Sequence, residues 1–251
     1  MIYITGDCHG NFQKFSTKQF PIQKKMTKDD YVIICGDFGG VWNYEEETGA
    51  ERYWLNWLND KPFTTLFVDG NHENFDRLYS YPEIIWNGGK VHQIRSSVFH
   101  LIRGEVFILN GKKVFAFGGA SSHDIQDGIL DMSEEDRIYL YRKTRRYFRI
   151  RNFSWWEQEL PSEEEMKNGI EKLDKADFDV NYVISHCAPT NVQLLLDSRF
   201  EADILTNYFQ DLQNKLKFKR WFFGHYHMDK EINENFVCTY DGIIPIDTEL
   251  F

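Results

Sequence analysis

No apolar run in this chain approaches the roughly 18 residues needed to span a bilayer. No basic segment followed by an apolar one opens it either, because Met1-Ile-Tyr-Ile passes straight into a strand pattern. The expected location is therefore the cytoplasm, with no membrane contact. Basic charge is in deficit, 29 Lys and Arg against 39 Asp and Glu. The resulting net charge of −10 argues against general attraction to nucleic acid or anionic lipid. Cysteines number only four, without regular spacing, which fits reduced thiols. Internal repeats, low-complexity stretches and linkers are also missing. One domain over residues 1–251 is expected, and a 42% hydrophobic, 16% aromatic composition suffices to pack its core.

What is present is a series of short apolar strands that each end in polar residues. Ile2–Thr5 leads to Gly6-Asp7-Cys8-His9-Gly10, Tyr31–Cys35 to Gly36-Asp37, and Thr64–Val68 to Asp69-Gly70-Asn71-His72-Glu73. Between them, residues 11–20 suggest a weak helix burying Phe12, Phe15 and Phe20. Residues 45–58 suggest a second helix with Tyr53, Trp54, Trp57 and Leu58 as its apolar stripe. A β-α-β-α-β order is the signature of a parallel sheet with crossover helices.

Three further strands follow at 98–102, 105–109 and 113–117. The junctions Arg103-Gly104 and Asn110-Gly111 both read as hairpin turns, the second suited to type I′. Residues 123–179 read as helical and polar, with a capping box at Ser162 and Glu165. Inside this segment, residues 137–151 hold seven basic side chains, no acidic one and several aromatics. Two more strand ends close the series, Tyr182–Ser185 into His186 and Arg220–Phe223 into Gly224-His225-Tyr226-His227. Residues 234–239 and 242–246 look like a terminal hairpin around Tyr240-Asp241.

In parallel sheets ligands collect outside the carboxyl ends of the strands. Here those ends carry Asp7, His9, Asp37, Asn71, His72, His186, His225 and His227. In extended backbone, residues i and i+2 point the same way, so Asp7 with His9, and His225 with His227, can each offer two ligands to one volume. A lone histidine after a strand is usually only a hydrogen-bonded group, and a lone Gly-Asp only a turn. Five of the eight histidines at these strand ends, beside both Gly-Asp carboxylates and Gly70-Asn71, is no such coincidence. The oxygen-and-nitrogen donor set suits Mn²⁺ first, with Fe or Zn²⁺ as alternatives. His92, His100 and His123 fall outside the set, the first two read as structural, and Cys8, Cys35 and Cys187 read as small buried residues.

Gly6-Asp7-x-His9-Gly10, Gly36-Asp37, Gly70-Asn71-His72-Glu73, His186 and Gly224-His225-x-His227 together resemble the motif series of the calcineurin-like metallophosphoesterases. The resemblance runs from residue 6 to 227. It implies an α/β fold, a four-layer α/β/β/α sandwich of two mixed β-sheets flanked by helices, with a dinuclear metal site at the strand ends. Carried over, Asp7, His9 and His227 would hold one ion, Asn71, His186 and His225 the other, with Asp37 bridging. The implied reaction is in-line attack on a phosphate ester by a hydroxide bridging the ions, with His72 protonating the leaving group.

The Ser/Thr protein phosphatase branch continues its second motif as Gly-Asp-x-x-Asp-Arg-Gly. Here the chain reads Gly36-Asp37-Phe38-Gly39-Gly40-Val41-Trp42 and lacks that aspartate and arginine. The partner of His72 is left between Asp69 and Glu73. Recognition of the substrate falls to the segment at about 120–180, whose Arg145, Arg149 and Trp155 are the candidate contacts. Phosphorylated small molecules or nucleotides are the expected substrates. The alternatives are an RNA-processing phosphodiesterase, which the net charge disfavours, and an inactive scaffold, which the complete ligand set disfavours.

Overall fold

A computed structural model describes residues 1–247. The chain begins β1 (Ile2–Thr5), β2 (Tyr31–Cys35), α1 (Gly49–Asn59), β3 (Thr64–Val68), α2 (Phe75–Leu78), β4 (Glu83–Trp86), β5 (Gly89–Arg95) and β6 (Val98–Leu101). It continues through β7 (Glu105–Leu109), β8 (Lys112–Phe117), β9 (Gly128–Leu130), α3 (Glu135–Lys143), β10 (Phe148–Ile150), α4 (Glu163–Asp174) and β11 (Tyr182–Ser185). The last elements are α5 (Thr190–Leu196), α6 (Ile204–Gln213), β12 (Arg220–Phe223), β13 (Lys230–Glu231), β14 (Phe236–Cys238) and β15 (Ile244–Pro245).

Two mixed sheets form, in the orders β15-β1-β2-β3-β6-β5-β4 and β13-β14-β12-β11-β8-β7. Each has four parallel central strands, β1, β2, β3 and β6 in one and β8, β11, β12 and β14 in the other, with antiparallel strands only at the edges. Fully apolar strands such as β2 are buried on both faces because the sheets pack on one another. Ile33, Leu66 and Val68 of the first sheet meet Val114, Ile184 and Phe222 of the second. The outer face of the first sheet is covered by α1 and two single 3₁₀ turns, and that of the second by α4, α5 and α6. The four-layer sandwich that the motif series implies is the observed architecture.

Local signals succeeded where the contact was local. Asn110 and Gly111 both have positive φ, 48° and 77°, and join β7 to β8 as a hairpin. The capping box at Ser162 is present, and so is one at Thr48 and Glu51 that starts α1 four residues later than expected. Asn87-Gly88, with φ of 46° and 94°, turns the β4–β5 hairpin, an Asn-Gly signal the sequence reading overlooks.

Five expectations change. Residues 11–20 form only a 3₁₀ turn at Gln13–Phe15, with another at Pro21–Lys25 whose proline cannot continue a helix, although Phe12, Phe15 and Phe20 are buried. Tyr53 is 61% exposed, and Leu55 takes its place beside Leu58 in the buried face of α1. Arg103-Gly104 is not a hairpin, because β6 and β7 lie in different sheets. Nor do the last strands pair, since β14 joins the second sheet and β15 lies antiparallel to β1 in the first. The segment at 120–180 carries α3 and α4, and also a small parallel pair, β9 with β10, that its polar composition did not reveal. Among the described residues, no helix is long and apolar enough to cross a membrane.

Candidate metal centre

The parallel strands of both sheets deliver their carboxyl ends to one place. The first loop is laced to the second, since the backbone amides of Cys8 and His9 donate to the Asp37 carbonyl at 2.9 and 2.8 Å. The buried Glu73 carboxylate accepts from the amides of Phe38 (2.7 Å) and Gly39 (3.3 Å), fixing the turn after Asp37. Glu73 therefore serves the backbone. Gly70 is required by close approach, because a Cβ there would lie 2.1 Å from Asp37 Oδ1.

Asp7, His9, Asp37 and His227 bring one ligand atom each within 4.8 Å of one another. Asp7 Oδ2 is buried without a hydrogen-bond partner, although His227 Nε2 stands 3.1 Å away and His9 Nε2 3.7 Å. His9 Nε2 and His227 Nε2 themselves lie 3.1 Å apart. An orphaned carboxylate oxygen facing two imidazole nitrogens is the donor arrangement a cation completes.

A second group lies deeper, around Asp37 Oδ1. His186 Nε2 is 3.3 Å from that oxygen and 3.3 Å from Asn71 Oδ1, while its Nδ1 must donate to the Cys35 carbonyl at 2.7 Å. That bond fixes the tautomer and leaves Nε2 to serve the site. Burial alone would raise the Asp37 carboxyl, but the adjoining His186 outweighs it and holds Asp37 well below the carboxylate range. His186 is correspondingly raised to about 9, against its own burial. The pair already marks a place where positive charge is held. The residues present thus fit two cations sharing Asp37.

The pairs Asp7 with His9 and His225 with His227 do not work by extended alternation. His9, Asp37, His225 and His227 all sit on left-handed backbone, with φ of 46°, 46°, 67° and 49°. His227 turns to Asp7, whereas His225 packs on the His186 ring with centroids 4.9 Å apart, so the two histidines serve opposite sides. His225 Nε2 also meets His123 Nε2 at 2.8 Å. His123 is a residue of the site that its lone position in sequence concealed. Beyond it opens a cavity of about 750 Å³ lined by Phe200, Gln126, Gln193 and Asp203.

Neither expected partner of His72 touches its ring. Asp69 is occupied by Arg103 and by His100 Nε2 (3.0 Å), and Glu73 by the backbone. The ring instead meets Arg149, whose Nη2 is 3.1 Å from His72 Nε2. Arginine only donates, so His72 Nε2 accepts and carries no proton in this arrangement. Burial pushes His72 down to about 4, and although Asp37 opposes this, Arg149 adds to it. Arg149 is itself aimed by Asp124 (2.7 Å) and the Ser154 carbonyl (2.9 Å). Trp42, from the divergent second motif, flanks His72 with ring centroids 6.1 Å apart. Arg145 lies elsewhere, exposed on left-handed backbone where α3 ends. Trp155 lines a neighbouring cavity of about 610 Å³ with Glu159, under the guanidinium of Arg151. All four cysteines are free and buried.

The family model of the calcineurin-like phosphoesterases matches residues 1–229, and the chain belongs to that family. Among curated proteins it is similar to lariat debranching enzyme A of Xenopus laevis, 27% identical over 144 residues that cover 52% of this chain and 26% of that protein. It is also similar to the lariat debranching enzymes of Gallus gallus (22% identical) and Homo sapiens (23%), each match covering 90% of this chain and 42% of the relative. The chain spans less than half the length of these relatives.

Proposed function

We propose that this member of the calcineurin-like phosphoesterase family is a metal-dependent phosphoric ester hydrolase acting on nucleotide or small-molecule phosphates. The observation that carries the reading is the buried, partnerless Oδ2 of Asp7 among His9, Asp37 and His227. Asp7, His9 and His227 would hold one ion and Asn71, His186 and His225 the other, with Asp37 shared and Mn²⁺ the first choice over Fe or Zn²⁺. When bound, the ions supply activation of water and positive charge opposite the phosphate.

The chain's own residues do the remainder. Arg149 donates to the phosphate oxygens from the segment at 120–180, supplying the grip that Phe38–Val41 does not. Drawn toward the phosphate, Arg149 leaves His72 Nε2, which is then free to hold the proton that goes to the leaving oxygen. Trp42 and Trp155 offer faces for a base. In this reading residues 1–251 form one catalytic unit and residues 120–180 its substrate-facing insertion.

A second reading, a phosphodiester in branched RNA, is favoured by the likeness to lariat debranching enzymes and opposed by the net charge of −10. The test is to strip metal, restore Mn²⁺, Zn²⁺ or Fe²⁺, and assay monoesters, diesters, nucleotides, linear RNA and branched RNA. Metal-dependent turnover of nucleotide esters is expected. Turnover confined to branched RNA would select the second reading, and two bound ions without hydrolysis of any substrate would leave only an inactive scaffold.

A further inference from the structure

Asn71 poses a chemical problem that the other ligands do not. Its amide presents a carbonyl oxygen and an NH₂ group of nearly equal size, and only the oxygen can serve a cation. Something must choose between them. Asn71 Nδ2 donates to Ser122 Oγ at 3.3 Å, so Oδ1 is turned toward His186 and Asp37. Both residues are 4% exposed, and no bulk water competes for that choice.

Ser122 is held in turn. Its backbone amide donates to Glu159 Oε2 at 3.2 Å, and Glu159 is 1% exposed. The turn carrying Glu159 is tied to the end of β3 by the buried Arg103, which donates to both the Asp69 carboxylate and the Gln158 carbonyl. Gly119, three residues before Ser122, donates its amide to the Asp69 carbonyl at 2.9 Å. The end of β8, the turn after β10 and the end of β3 thus form one braced unit around Asn71.

We propose that Ser122, held by Glu159, is the positioning residue that turns Asn71 oxygen-first toward the second ion. The proposal rests on the reading of the site as dinuclear. Outer partners of this kind are typically worth 10- to 100-fold in metal affinity.

The test is Mn²⁺ titration of the full-length, metal-stripped chain by calorimetry, with electron paramagnetic resonance to report coupling between paired ions and circular dichroism to report folding. Ser122→Ala and Glu159→Ala should weaken the tighter of two binding steps, that of the interior ion, by roughly 10- to 100-fold, leave the other unchanged, and lose the coupled signal. Glu159→Gln keeps an oxygen to accept from the Ser122 amide and should bind as wild type does. If Glu159→Ala does not fold, Ser122→Ala with Glu159→Gln decides. Two undisturbed steps in Ser122→Ala would overturn the proposal. So would equal weakening of both steps, or a loss in Glu159→Gln, which would make the effect one of charge. A wild-type chain that binds fewer than two ions would instead overturn the dinuclear reading, and this proposal with it.

Discussion

The two halves of the candidate metal centre are built differently. In the first, the His9 and His227 side chains are 34% and 51% exposed, so two of its four donors stand at the rim. In the second, the His186 side chain is fully buried and its two nitrogens are spoken for by a carbonyl and by the Asp37–Asn71 oxygens. Exposed donors lose rotamer freedom when they bind an ion and compete with water, whereas buried donors arrive already ordered. With two ions bound as proposed, the rim group would therefore be the exchangeable half and the interior group the retained one.

The strongest way to break that division is at the residue common to both halves. Asp37→Asn keeps a residue type that tolerates left-handed backbone, so the fold should survive while metal-dependent kcat falls by about 10³-fold or more. Retained turnover in fully metallated mutant protein would remove Asp37 from its bridging role. The halves separate next. His186→Ala should cost about 2–4 kcal/mol of stability and the slowly exchanging ion, because it empties a buried, hydrogen-bonded position. His227→Ala should cost less than about 1 kcal/mol and only the fast-exchanging ion. Thermal melts and metal analysis after timed dialysis against chelator check both, and equal losses from the two variants would erase the distinction.

Arg149→Ala should lower kcat/KM by about 10- to 100-fold, the worth of a hydrogen bond to a charged group, while Arg145→Ala should change it less than about twofold. Similar losses in both would return the basic segment to a diffuse electrostatic role. The smallest effect concerns Glu159, whose carboxyl burial pushes up to about 8, with the facing Ser122 groups opposing. An unfolded glutamate ionises near 4.5 and the folded one only near 8, so its contribution to stability is full below 4.5 and lost as pH rises through 8. Melts of metal-free protein between about pH 4.5 and 8 should show wild type losing stability relative to Glu159→Gln. A constant difference would contradict the raised carboxyl.

The sequence disclosed what is written locally. Apolar runs that stop at Gly-Asp, Gly-Asn or a histidine located the five strand ends that carry the candidate ligands, because such a strand must be buried and its polar residues must emerge at the end. Which sheet a strand joins is not local. Arg103-Gly104 and Asn110-Gly111 look alike as turns, yet one passes between sheets and the other folds back within one. Contacts across long separations were equally hidden. His72 and Arg149 are 77 residues apart, and Asn71 and Ser122 are 51 apart. No periodicity encodes either pair. His123 was set aside because it follows no ligand motif, and only folding brings it to His225.

The left-handed backbone at His9, Asp37, His225 and His227 has an evolutionary consequence. A side chain there costs the folded protein about 1 kcal/mol at each position relative to glycine, even for residue types that enter this region most readily. A duplicate of this gene released from selection for ion binding would lose the reason to keep side chains at these four sites and would gain stability by drifting toward glycine there.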